Sequence, residues 1–142
     1  MTLYVLDTDH LSLYERNHPS VSKRIRQSRH SDLDTLATTI ITTEEQCAGR
    51  LAQIRKATTS QSRIDAYARL KKTVVLFSEI VILDYDLDAD DRFYSFRQAG
   101  IRVGTQDLRI AAITLAHSGI LCTRNCRDFE QIPGLIFEDW SI

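Results

Sequence analysis

Several features that would set this chain apart from ordinary globular proteins are missing from its sequence. No apolar run reaches the length that a transmembrane helix needs. The beginning, "MTLYVLDTDH", has neither the basic stretch nor the long apolar region of a signal peptide. The three cysteines, Cys47, Cys122 and Cys126, form no CxxC pair, which argues against a disulfide framework and a thiolate zinc site. We therefore expect reduced thiols and a cytoplasmic protein.

The composition predicts one folded domain. The 142 residues are 43% hydrophobic and 26% charged, a balance typical of globular proteins, and their number suits a single hydrophobic core. No repeat, linker or low-complexity tract divides the chain. We therefore expect residues 1–142 to form one domain. The net charge of −1 conceals a basic segment, "KRIRQSRH" at 23–30, and an acidic segment, "DYDLDADD" at 84–91, which we interpret as solvated faces.

Strand-like and helix-like segments alternate along the chain. The β-rich segments are "LYVLDT", "DTLATTIIT", "EIVILDYD" and "ILCTRN", with "LIFEDW" as a short edge strand. Stretches with helical periodicity separate them, and Asp9, Thr42 and Thr105 are the expected N-caps of three of those helices. This alternation predicts an α/β fold in which a mostly parallel sheet of four to five strands is covered by helices on both faces.

Acidic and amide side chains recur where the predicted strands end. Ligands of open parallel sheets bind outside the carboxyl ends of the strands, so side chains at these positions are candidates for a shared site. Asp107 begins a helix and joins that site only if the helix N-terminus is turned toward it. The other candidates are Asp7 after the first strand, Glu44 and Glu45 after the second, and Asn125 and Asp128 after the fourth.

A cluster of carboxylates implies a cation. Neighbouring carboxylates raise one another's pKa unless a counter-charge is present, and a divalent ion removes that conflict. Oxygen ligands without imidazole or thiolate favour magnesium or manganese. Such an ion lowers the pKa of water and orients it for in-line attack on a phosphodiester. The four histidines lie outside the predicted strand ends, and no phosphate-binding GK[ST] loop is present.

Four ordered blocks resemble the PIN-domain ribonucleases, in particular the VapC-type toxins of toxin–antitoxin pairs. They are "VLDTDHLS", "ITTEEQCAG", "GTQDLRIAAITLAHSGILCTRNCRDF" and "IPGLIFEDW". The resemblance implies a three-layer α/β/α fold and a magnesium- or manganese-dependent endoribonuclease. It also implies an antitoxin partner and a homodimer. RNA would be the substrate, and the basic segment 23–30 is then a candidate contact for its phosphates.

The family pattern also implies which residues form the site. Asp7 and Asp107 match the two aspartates of the pattern and would hold the metal ion. Asn125 stands where many relatives have an aspartate, two residues after Thr123, and Asp128 is close enough to supply the missing charge.

The site glutamate has two candidates. Glu45 fits the family register, which places it three residues after Thr42 and four before Gly49. Helical periodicity instead favours Glu44, which lies closer to the predicted buried stripe. That stripe consists of Cys47, Ala48, Leu51 and Ile54.

Two other functions stay open on the sequence alone. An apolar strand followed by "DTD" also resembles the aspartyl-phosphate phosphotransferases, in which Asp7 would be the nucleophile and Asp9 the general acid. That chemistry needs a lysine near a later strand end, whereas Lys56, Lys71 and Lys72 fall in predicted helices. The other alternative is a catalytically weak RNA- or protein-binding module, suggested by Asn125 at the fourth acidic position.

Overall fold

A five-stranded parallel sheet forms the centre of the computed structural model, which describes residues 1–142. The spatial order is β3-β2-β1-β4-β5, and all four pairings are parallel. The sheet thus confirms the α/β class, and the fifth strand lies at an edge as predicted. The strands are β1 (Thr2–Leu6), β2 (Asp34–Thr39), β3 (Val81–Leu83), β4 (Ile120–Cys122) and β5 (Ile136–Glu138).

Seven helices connect and cover these strands. Pro19 occupies the first turn of the second helix, where its missing N–H costs nothing. No helix is long and apolar enough to cross a membrane. The helices are α1 (Thr8–Glu15), α2 (Pro19–Arg29), α3 (Ile40–Lys56), α4 (Ser60–Ser78), α5 (Leu87–Gln98), α6 (Thr105–Ala116) and α7 (Cys126–Phe129).

The hydrophobic core is divided between the two faces of the sheet. Successive side chains of a strand point to opposite faces, and on β1 Val5 and Leu6, both fully buried, belong to different clusters. Val5 packs with Leu108 and other side chains of α5 and α6, whereas Leu6 packs with Leu11 of α1 and with Trp140. This division confirms the three-layer α/β/α arrangement.

The register brings the ends of the central strands together. Leu6, the last residue of β1, is paired with Cys122, the last of β4. Thr39 of β2 is paired with Leu83 of β3. Because all the strands run in one direction, residues that follow them emerge at the same edge, which we call the carboxyl edge.

Three predicted helix caps are wrong, each by one to three residues. Asp7 caps α1 instead of Asp9, Thr39 caps α3 instead of Thr42, and Gly104 precedes α6, which has no side-chain cap. An N-cap needs an extended backbone, and Asp7 has it, with φ −75° and ψ 177°. α1 and α3 therefore begin closer to the strands that precede them than the sequence pattern indicates.

The predicted buried stripe of α3 is also wrong. Ala48 and Leu51 are exposed, and the buried positions are Ile41, Thr42 and Gln46. This face packs against α1 through polar contacts, so hydrophobic periodicity does not reveal it. As a result Glu45, next to Gln46, lies nearer to the packed side of the helix than its neighbour Glu44, which is exposed.

Candidate active site at the carboxyl edge

Asp7 lies at the centre of the carboxyl edge and is almost completely buried. Its side chain is held by the start of α1, since its Oδ1 accepts the backbone N–H of His10 at 2.8 Å. Its own N–H donates to the carbonyl oxygen of Cys122 on β4, at 3.1 Å. Only 5% of Asp7 is exposed, so the carboxylate is rigidly placed and poorly solvated.

Burial raises the pKa of Asp7 to about 7. Hydrogen bonds from the His10 backbone and the Thr123 side chain oppose this rise, and the negative charges of Asp9 and Asp107 add to it. A carboxyl group in this state lacks a cation.

Asp107, Asn125 and Asp128 form a second group at the same edge. The Asn125 amide donates to Asp107 Oδ2 at 3.1 Å and to Asp128 Oδ2 at 2.9 Å. Between two carboxylates only the NH₂ end of the amide can satisfy both, which fixes its orientation. Burial and the charge of Asp128 raise the pKa of Asp107, and the Asn125 hydrogen bond opposes this. The N-terminus of α6 is therefore turned toward the carboxyl edge.

The two candidate glutamates make different contacts. Glu45 Oε1 accepts the hydroxyl of Thr8 at 2.6 Å, directly beside Asp7. Glu44 Oε1 accepts the amide of Gln106 at 2.8 Å on the exposed surface. Glu45 thus faces the Asp7 side of the edge, whereas Glu44 ties α3 to the beginning of α6.

Asp9 is paired with an arginine that the sequence reasoning did not consider. Arg124 follows β4 and donates to both Asp9 oxygens, at 2.6 and 2.7 Å. Both side chains are at least one-third exposed. Their bidentate ion pair lies at the rim and leaves Asp7 without a cationic partner.

His10, which the sequence placed outside the site, is fully buried next to Asp7. Its Nε2 accepts the backbone N–H of Trp140 at 3.0 Å, and its Nδ1 lies 3.7 Å from Asp7 Oδ1. Burial lowers the pKa of His10 to about 4, so the ring is neutral and carries its proton on Nδ1. The spacing of three residues from Asp7, one helical turn, is the only sequence signal for this contact.

The donor set of this edge fits a hard divalent cation. Side-chain atoms of Asp7, Asp9 and His10 lie within 4.8 Å of one another. Because the Nδ1 of neutral His10 is protonated, it has no lone pair for a metal, and the oxygens remain as ligands. Asp7 has no compensating cation, whereas Asp9 is already paired with Arg124. Carboxylate oxygens without imidazole or thiolate are the ligands that magnesium and manganese prefer.

Curated relatives of similar sequence are ribonucleases. No protein-family model matches the chain. Ribonuclease VapC2 of Rickettsia felis is 27% identical over 98% of both chains, and ribonuclease VapC1 of Haemophilus influenzae is 28% identical over 98% of both. The tRNA(fMet)-specific endonuclease VapC of Salmonella typhimurium is 36% identical, over 44% of this chain and 51% of its own.

Solved structures share the fold over nearly the full length. VapBC-1 from nontypeable Haemophilus influenzae matches with a TM-score of 0.79 at 21% identity, covering 99% of this chain and all of that one. DNA-bound VapBC from Salmonella typhimurium matches with a TM-score of 0.75 at 25% identity, covering 99% of both. The fold and the carboxyl edge thus define a three-layer α/β/α protein with an acidic site. Together these similarities confirm the resemblance to VapC-type PIN-domain proteins that the four sequence blocks indicated.

Proposed function

We propose that this chain is a metal-dependent endoribonuclease, the toxin of a toxin–antitoxin pair. The observation that carries the proposal is the buried Asp7 carboxylate. Its raised pKa indicates that no cation of the protein compensates its charge at the carboxyl edge. The similarity to curated ribonucleases over 98% of the chain supports the choice of RNA as substrate.

Asp7 and Asp107 would hold a magnesium or manganese ion, with the other site residues around it. Such an ion lowers the pKa of a bound water and stabilises the charge that develops at the phosphodiester. Glu45 would hold the ion or orient the attacking water; the Thr8 hydroxyl fixes one of its oxygens and leaves the other free for that role. Asn125 keeps Asp107 and Asp128 in place by donating to both, and with Asp128 it completes the rim.

The proposed partners follow from the relatives. Structures of similar fold are VapBC complexes, which supports an antitoxin as partner. The family resemblance implies that this antitoxin would lie over the carboxyl edge. We also propose that the chain forms a homodimer and that it acts in the cytoplasm, where it would encounter both RNA and the antitoxin.

Cleavage of RNA by the purified chain tests the proposal. Wild type should cleave single-stranded or structured RNA with manganese or magnesium and lose activity in EDTA. Asp7→Asn keeps the helix cap, since asparagine is also a good N-cap, but removes the charge, so cleavage should fall at least a hundredfold. Asp32→Asn, on an exposed loop residue, is the control and should cleave like wild type. Equal cleavage by Asp7→Asn and wild type would contradict the proposal.

A second candidate is a binding module with little catalysis. The observation in its favour is Asn125, a neutral donor between Asp107 and Asp128 where a further carboxylate would strengthen metal binding. Calorimetry distinguishes the two functions. Absence of magnesium and manganese binding, with RNA or antitoxin binding intact, would favour the module.

A further inference from the structure

A polar cleft of about 310 Å³ opens between α1, α3 and α4, away from the carboxyl edge. No hydrophobic side chain lines it. Its charged residues are Glu15, Arg16, Arg50, Arg69 and Lys72. Four cations face one carboxylate, so the cleft carries an excess of positive charge.

Arg50 and Glu15 form a rigid wall of this cleft. The Arg50 guanidinium lies 3.5 Å from Glu15 Oε2, and both side chains are less than 15% exposed. It also donates to the Thr73 hydroxyl at 3.0 Å and to Gln46 Oε1 at 3.2 Å. These contacts occupy the guanidinium with partners inside the protein, and Glu15 largely balances its charge. Arg50 therefore forms part of the cleft wall and is not available to a ligand.

The other three cations have no acidic partner. Arg16 makes one hydrogen bond, from Nε to the Ser12 carbonyl oxygen at 3.4 Å, and neither Arg69 nor Lys72 forms an ion pair. All three side chains are exposed at the mouth of the cleft. Unpaired cations converging on a polar concavity form a site for an anion.

A continuous seam between α1 and α3 joins this cleft to the carboxyl edge. Next to Asp7, Thr8 donates to Glu45; one turn further, Gln46 donates to the Ser12 hydroxyl at 2.7 Å. The Glu15–Arg50 pair follows on the next turn. From Thr8 to Arg16 the helical rise is about 12 Å, a distance that a few nucleotides of one RNA strand span.

We propose that the cleft of Arg16, Arg69 and Lys72 binds a backbone phosphate of single-stranded RNA on the strand that is cleaved at the carboxyl edge, a short way along it from the cleaved bond. The proposal rests on the proposed ribonuclease function and adds a substrate subsite to it. Single-strand binding proteins follow the backbone with grooves of positive charge. The absence of an apolar lining disfavours the hydrophobic face of a partner helix as the occupant.

Salt-dependent RNA binding tests the subsite. The variant Arg69→Ala/Lys72→Ala removes two cations from exposed positions of α4. Its matched control, Arg63→Ala/Lys71→Ala, removes the same charges from exposed positions of the same helix outside the cleft. Binding of an end-labelled single-stranded RNA is followed by fluorescence anisotropy in EDTA over a range of salt concentrations. The cleft variant should bind several-fold more weakly, and the steepness of its log K against log salt should fall by about 0.7, the contribution of the one phosphate that the cleft neutralises.

The control separates a specific subsite from general electrostatics. It should retain the wild-type slope; an equal fall in both variants would overturn the proposal. An unchanged slope in the cleft variant would also overturn the proposal. If its affinity for an antitoxin then fell, the cleft would bind the antitoxin and not RNA. If wild type cleaves RNA while the cleft variant keeps its slope, the nuclease function stands and the subsite fails. If wild type does not cleave but the slope falls, the RNA site stands and the nuclease function fails.

Discussion

The two ends of the α1–α3 seam differ in how the charge of a carboxylate is compensated. At the cleft, Glu15 is compensated within the protein by Arg50, whose guanidinium is fixed by Thr73 and Gln46. At the carboxyl edge, Asp7 has only backbone and hydroxyl donors and the neutral ring of His10. One charge is therefore balanced by the fold, whereas the other depends on a proton or on a cation from solution. This difference separates a structural ion pair from a site prepared for a ligand.

Asp7 and His10 give the largest expected effect, because burial moves their pKa values in opposite directions. The pKa of Asp7 rises from 3.8 to about 7, and that of His10 falls from 6.5 to about 4. Between about pH 4 and 6.5 the folded pair holds one proton, on Asp7, and the unfolded pair also holds one, on His10. Without metal the pair should therefore contribute almost no pH dependence to the free energy of unfolding in this range.

Single variants expose the two opposing contributions. In Asp7→Asn only His10 titrates, and it is protonated in the unfolded state but neutral in the folded state. The free energy of unfolding should therefore rise from pH 4 to 6.5, by at most about 3 kcal/mol. In His10→Gln only Asp7 titrates, and it is protonated in the folded state but ionised in the unfolded state. The free energy of unfolding should therefore fall between about pH 4 and 7, by at most about 4 kcal/mol. Urea unfolding in EDTA at a series of pH values measures both, with Asp32→Asn as control. Parallel pH profiles for wild type and the two variants would contradict the opposed shifts.

Arg50→Met tests the compensated end of the seam. Removing the guanidinium leaves Glu15 buried without its cation, which should lower the free energy of unfolding by about 2–3 kcal/mol at neutral pH, somewhat less than for a fully buried pair. The double variant Glu15→Gln/Arg50→Met removes both charges and should recover most of that loss. Urea unfolding of wild type, the single variants Arg50→Met and Glu15→Gln, and the double variant completes a double-mutant cycle. If the single and double variants were equally unstable, Arg50 would act through packing and not by balancing Glu15.

The sequence predicted a parallel sheet covered by helices on both faces, but neither its strand order nor the polar contacts that complete the site. The β-rich segments predicted the strands, and the carboxyl-end rule placed Asp7, Asn125 and Asp128 at one edge. Asp107 joins them only through the direction of the α6 N-terminus, which the structure shows and the sequence does not. The sequence pattern predicts Asp9 as the cap of α1, but both aspartates of "DTD" suit an N-cap, and only the backbone angles show that Asp7 is the cap. His10 was missed because its burial depends on Trp140, 130 residues away.

Polar packing also explains why the buried face of α3 was not predicted from the sequence. Its packed face contains Thr42 and Gln46, which contact Thr8 and Ser12 of α1 by hydrogen bonds. Hydrophobic periodicity detects apolar faces only, so it placed the stripe on Ala48 and Leu51, which are exposed. The cleft escaped notice for a related reason, since its cations come from three helices.

Glu45→Gln and Glu44→Gln form the matched pair with the smallest expected effect. Glutamine can still accept the Thr8 hydrogen bond through its carbonyl oxygen, so Glu45→Gln should fold normally while losing the charge beside Asp7. Cleavage of RNA should then fall about tenfold or more, as is typical when a ligand or its immediate support is altered. Glu44→Gln keeps the exposed contact with Gln106 and should cleave within about twofold of wild type. The reverse result would assign the site glutamate to Glu44 and place the catalytic charge on the α6 side of the carboxyl edge.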